Sequence, residues 1–268
     1  MSNDYWLRQS AYEPLFPDII WSRPESKMGA GKLAIIGGNS HGFGAPGIAW
    51  NTALQSGAGV CRVILPDAVK KVVKGMLPDA DFAPSTRSGS FSKQALGELI
   101  GLSGWGDLTL LAGDVGRNSE TAIILEAFAE RYAGPLCIAQ DSVDYFKETP
   151  LQIMNRPDTL VVLSLSQLQK LFISTPTITP ITYTMSTPQL AEALHEYTEE
   201  HPACIITKHN DLVFVAHSGF VVTQKNNEQI WRVATAAKAS VFWMQNPTQI
   251  LEAVVTSLTT EGSATPQS

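Results

Sequence analysis

The sequence predicts an α/β fold with a predominantly parallel sheet, and three observations carry that expectation. Short apolar and β-branched runs alternate with helical patterns, so that successive strands are joined by crossover helices. Hydrophobic residues make up 44% of the 268-residue chain, ample for a sizeable core, and no Pro/Ser-rich or strongly charged linker divides it. Glycines cluster from Gly37 to Gly59, where a strand hands over to a helix, as in one wall of a nucleotide-type pocket.

In chain order, strands are expected at 33–36, 60–65, 108–112, 136–139, 159–163 and 204–207. The runs 212–216 and 220–223 read as a hairpin turning through His217-Ser218-Gly219. Helices are expected from about Pro46 to Ser56, across Ala122–Tyr132 behind Ser119-Glu120, across Gln189–Tyr197 behind Thr187-Pro188, from Glu228 to Met244, and after Pro247. Residues 175–184 read as a loop, and the domain is expected to run over 1–258 with a disordered tail at 259–268. No internal repeat is evident.

The net charge of −6 argues against nucleic acid or an anionic membrane as the main partner, because either needs clustered Lys and Arg. Cys61, Cys137 and Cys204 are odd in number and sit in apolar runs, which predicts reduced core thiols and a cytoplasmic location. Asp4, Glu13, Asp18 and Glu25 interrupt the first thirty residues, so no signal peptide is expected there. His41, His195, His201, His209 and His217 show no metal-ligand spacing, and no structural metal is expected. Trp231 and Trp243 are expected on one helix face, serving core packing or a subunit contact.

Gly42-Phe43-Gly44-Ala45-Pro46-Gly47 satisfies G-x-G-x-x-G, and Asp67 lies where a dinucleotide-binding domain keeps its ribose acid. A Rossmann-type NAD-binding oxidoreductase is therefore one reading. Against it, Gly37-Gly38-Asn39-Ser40-His41 intervenes between strand and motif, too much chain for the tight turn that brings pyrophosphate to a helix N-terminus. The ordered set Lys27-x-Gly29, Gly37-Gly38-Asn39, Gly44-Ala45 and Leu54-Gln55-Ser56-Gly57-Ala58-Gly59-Val60 resembles instead the ADP/ATP-dependent NAD(P)H-hydrate dehydratases. These are lyases of the ribokinase-like carbohydrate kinase superfamily, so the resemblance implies a ribokinase-like three-layer α/β/α sandwich.

Further along, the resemblance implies a substrate side made by Gly38, Asn39, Gly44, Ala45, Gly113, Gly116 and Ser166. Gly113-Asp114-Val115-Gly116 stands where the family has G-P-G-L-G, and Asp141 survives from P-x-V-x-D-A-D while Ala139 replaces that motif's first acid. Ser166 stands at the family histidine of T-P-H-x-x-E, and Gln167 replaces the acid. A nucleotide side is implied at Lys208, His209, Asn210, Asp211 and Ala239, with His209 in place of the glycine of K-G-x-x-T. Ala234-Thr235-Ala236-Ala237-Lys238-Ala239-Ser240-Val241 lines up with A-T-G-G-T-G-D-V, so Ser240 occupies the position of the catalytic Asp.

In the family those glycines form an anion hole and the Asp is the base for phosphoryl transfer. A serine hydroxyl is not basic near neutral pH without a neighbouring base, and the alanines favour simple helix. The sequence therefore predicts a divergent, catalytically impaired relative that binds a nucleotide or dinucleotide, or serves as a structural or regulatory partner. It would assemble as a homo-oligomer or with an active paralogue. An active dehydratase using ADP or ATP and NAD(P)H hydrate, with Asp141 or Lys208 recruited, is the alternative. Lys238 as a phosphate contact and His41 as a ligand contact are weighed against solvated positions.

Overall fold

The computed structural model describes residues 4–77, 80–173, 179–226 and 231–259. Among the described residues ten strands form one sheet: β1 (Trp6–Gln9), β2 (Lys32–Gly37), β3 (Val60–Pro66), β4 (Ala80–Ala83), β5 (Leu108–Gly113), β6 (Leu136–Ala139), β7 (Thr159–Ser164), β8 (Cys204–His209), β9 (Leu212–His217) and β10 (Phe220–Lys225). Their order is β1-β10-β9-β8-β7-β6-β5-β2-β3-β4. The β8–β9 and β9–β10 pairings are antiparallel and the others parallel.

The helices are α1 (Asp18–Trp21), α2 (Gly44–Gln55), α3 (Lys70–Val73), α4 (Leu96–Ser103), α5 (Ser119–Arg131), α6 (Leu151–Met154), α7 (Leu165–Ile173), α8 (Thr187–Glu200), α9 (Arg232–Gln245) and α10 (Ile250–Ser257). Strand alternation divides the core into two layers. Ile36, Leu111, Ile138, Val161 and Ile205 pack on one face with Leu99, Phe128 and Leu194 from α4, α5 and α8. Ile35, Leu110, Cys137, Val162 and Ile206 pack on the other with Ala49, Val241 and Val254 from α2, α9 and α10. Both faces being covered explains why the central strands read as apolar runs without polar alternation.

The expected strands and the hairpin are present with boundaries shifted by at most two residues. Helix α2 starts at Gly44, before its expected start at Pro46, because a proline in the first turn forfeits no intrahelical bond. The short edge strands β1 and β4 and helices α4 and α7 lacked strong signals in the sequence. Of the expected tail, Thr259 is hydrogen-bonded to Thr256 and Lys238, and 260–268 lie outside the described residues, as do 175–178 of the expected loop and 228–230 of the expected helix.

Strand β2 lies between β3 and β5, so the strand order reverses there. At such a point the crossover helices leave toward opposite faces and open a crevice at the carboxyl ends of the strands. The glycine-rich residues after β2 sit in that crevice.

Candidate functional site

Three turns interlock at the reversal. Gly38, with φ of 83°, donates its N–H to Gly113 O at 3.0 Å. Asn39, 7% exposed, donates from Nδ2 to Asp114 O and accepts the His41 N–H at Oδ1. Gly113 has φ of 106°, and a Cβ there would overlap the Gln140 side chain, so only glycine fits both the angle and the space. At Gly116, with φ of 80°, a Cβ would press on the Ser90 hydroxyl and meet Asn39 less closely, and the carbonyl accepts from the Tyr145 hydroxyl.

Asp114 is bound into this knot at both ends. Its own φ is 57°, an uncommon angle for a residue with a side chain, and Asp141 Oδ1 accepts its N–H at 2.7 Å. Its carboxylate Oδ2 accepts the Ala45 N–H in the first turn of α2, also at 2.7 Å. Helix α2 has no side-chain cap of its own and no acidic residue in its first turn. Asp114 thus places a negative charge from β5 where the helix dipole favours an anion.

Asp141 follows β6 and faces Asp114 N. Burial raises its carboxyl above the ordinary range, and the Asp114 charge adds to the rise while the hydrogen bond from Asp114 N opposes it. The position pins the turn after β5, which is a positioning role.

The segment matched to the family's glycine loop is the interior of α9, a continuous helix from Arg232 to Gln245. Ala236, Ala237 and Ala239 are fully buried against the sheet. Ser240, also 0% exposed, stands in the third turn, and its hydroxyl makes no hydrogen bond among the described residues beyond its approach to the Cys137 thiol. Burial pushes that thiol up to about 12, against the pull of Ser240. No amide of residues 236–240 is aimed at a cavity, because the helix uses them internally.

Past β7 the chain turns directly into α7. Ser164 and Gln167 form a reciprocal cap: Gln167 Oε1 accepts the Ser164 N–H at 3.0 Å, and Ser164 Oγ accepts the Gln167 N–H at 3.3 Å. Gln167 Nε2 donates to Gln140 O at 2.7 Å. Arg232, the first residue of α9, donates from Nη1 to Gln167 Oε1 at 3.0 Å. The spacing Ser164-x-x-Gln167 is the signal by which the cap could be recognised in sequence; Arg232 has no such local signal.

Ser166 lies beside this cap in the first turn of α7. Lys208 lies in register with Ser164. Its strand neighbour Ile206, two residues earlier, packs in the α9 layer, so alternation puts Lys208 on that face. His209 is 6% exposed with Nε2 against Met185 O at 2.8 Å. Asn210, with φ of 54°, and Asp211 form the β8–β9 turn, where Asp211 pairs with Lys225. Gly38, Asn39, Gly44, Ala45, Gly113 and Gly116 are therefore brought together, Ser166 and Lys208 stand apart from them at the ends of β7 and β8, and Ala239 and Ser240 stay in the helix interior.

Other residues have structural partners. Asp67 Oδ1 accepts from the Ser85 N–H and hydroxyl, tying the end of β3 to the loop after β4. Lys238 donates to Thr259 O at 2.8 Å, a cation closing the end of α10. Trp243 is 1% exposed and Trp231 8%, both in the core. Among the described residues no group of three or more His, Cys, Asp or Glu side chains is placed to hold a metal, and no helix is long and apolar enough to cross a membrane.

The fold is ribokinase-like. A ribokinase-like protein from Enterococcus faecalis superposes with a TM-score of 0.70 at 17% identity, covering 94% of this chain and 85% of that one. The ADP/ATP-dependent NAD(P)H-hydrate dehydratase of Bacillus subtilis, crystallised with ATP and Mg2+, gives 0.61 at 12% identity over 91% and 86%. In sequence the chain is similar to bifunctional NAD(P)H-hydrate repair enzymes: it is 32% identical to that of Methanothermobacter thermautotrophicus over 101 residues, 37% of this chain and 19% of that protein. The Dictyoglomus turgidum enzyme is 26% identical over 140 residues, 50% and 27% of the two chains. The matches thus span about a quarter or less of these longer relatives. No family model matches the chain.

Proposed function

We propose that this protein descends from the NAD(P)H-hydrate dehydratases, has lost their phosphoryl-transfer chemistry, and retains binding of a nucleotide or dinucleotide at the carboxyl edge of its sheet. The observation that carries this reading is the unbroken helix from Arg232 to Gln245. An anion hole needs backbone N–H groups released from helix bonding and aimed at the developing charge, and a base needs a group that accepts a proton near neutral pH. A buried alanine-rich helix supplies neither, and Ser240 lies enclosed against the sheet.

Asp141, the best substitute base, has its carboxylate directed at Asp114 N. The Rossmann reading draws no support from Asp67, which is engaged by Ser85. The reading carries with it a cytoplasmic location, consistent with three buried free thiols, and assembly with copies of itself or an active paralogue.

The test is a coupled assay of purified protein with hydrated NADPH and either ADP or ATP. No turnover above the uncatalysed rate is expected. Robust turnover would overturn the loss of catalysis and establish the active dehydratase instead.

A further inference from the structure

We propose that Arg232 is the anchor for a phosphate group of a small ligand, and that Gln167 is the positioning residue that holds the guanidinium in place. This rests on the retained binding proposed above and names the residue on which that binding depends.

The guanidinium of Arg232 is half-buried, and its hydrogen-bonding partner is a neutral amide, Gln167 Oε1. Among the described residues no carboxylate pairs with it. A buried amide that accepts from Ser164 N, donates to Gln140 O and is itself 6% exposed has little freedom, so the arginine it holds is preorganised. The remaining N–H donors of the planar fork suit two oxygens of a phosphate.

The identity of residue 167 matters. A reciprocal cap is made equally well by glutamate or glutamine. Glutamate would give Arg232 a counter-ion, whereas glutamine keeps the cap and leaves the positive charge available. The other half of the crevice is arranged oppositely: Asp114 fills the α2 N-terminus and Asp141 lies behind it, so an incoming anion is repelled there and drawn to Arg232.

Calorimetric titration of the full chain with ADP, and separately with inorganic pyrophosphate, tests the assignment. Saturable ADP binding is expected, weakened at least about tenfold in Arg232→Gln and falling with added salt. Pyrophosphate that binds with the same Arg232 dependence identifies phosphate alone as the recognised group; ADP binding without pyrophosphate binding identifies a nucleotide. Gln167→Glu keeps the cap and pairs the arginine at the cost of the donation to Gln140 O, so it is expected to weaken ADP to a similar degree, and where its thermal unfolding shows that it is folded it carries the test if Arg232→Gln fails to fold. Affinity within about twofold of the original in the folded variants overturns the anchor while leaving retained binding intact. Absence of binding by the unaltered protein overturns both, and dehydratase turnover bears on the proposed loss of catalysis alone.

Discussion

Asp114 and Ala45, 69 residues apart in sequence, are joined by a 2.7 Å hydrogen bond from the Ala45 N–H to the Asp114 carboxylate. One contact ties the end of β5 to the first turn of α2 and supplies that helix with its cap. Asp114→Ala removes the acceptor, and the expected loss is about 1–2 kcal/mol of unfolding free energy in urea. Asp114→Asn retains an acceptor oxygen and should lose less, which separates the cap from other effects of the site.

Gly113 combines φ of 106° with a space closed by Gln140 and Asp141 Oδ1. Gly113→Ala is expected to destabilise by more than about 1 kcal/mol, through the angle and the overlap together. The midpoint of thermal unfolding measures it. An unchanged midpoint would mean that the turn after β5 relaxes without cost.

Asp141 should make stability depend on pH. Its folded-state carboxyl is raised above the ordinary carboxylate range by burial, against the hydrogen bond from Asp114 N and with the Asp114 charge adding to the rise. Over the interval between the unfolded and folded values the folded protein holds a proton that the unfolded chain has released, so this group's contribution falls as pH rises through that interval. Asp141→Asn should remove that fall, giving a flatter profile of urea-unfolding free energy as pH rises above the ordinary carboxylate range. A profile as steep as the original would assign the dependence to other groups.

Ser240 is fully buried in α9. Ser240→Ala should change stability by no more than about 0.5–1 kcal/mol, because the hydroxyl has no strong partner to lose. Ser240→Asp restores the family residue but places a carboxylate in an apolar layer, at an expected cost of about 3 kcal/mol or more and with no gain of turnover. Dehydratase activity in that variant would show that the surrounding main chain can still form a catalytic loop.

The central strands were legible because a doubly covered parallel sheet writes itself as short apolar runs, such as Leu108–Ala112 and Leu136–Ala139. The edge strands were not: Trp6–Gln9 pairs only with β10, more than two hundred residues away, and its four residues mix charged and apolar groups. In the site, Gly38, Asn39, Gly113 and Gly116 were marked by resemblance and are brought together. Arg232 escaped notice because its role depends on Gln167, 65 residues away in sequence.

By itself the sequence determined the alternation of strands and helices, the glycine-rich turn where the first central strand hands over to a helix, and an alanine-rich helix where the enzymes it resembles carry a glycine-rich loop, because these are consequences of local sterics and periodic burial. Only the tertiary structure decided where the charges stand. Asp114 closes α2 from another strand, Asp141 supports Asp114, and Gln167 presents Arg232, and each of these is a side chain meeting a partner that packing, and not sequence distance, brought within hydrogen-bonding reach.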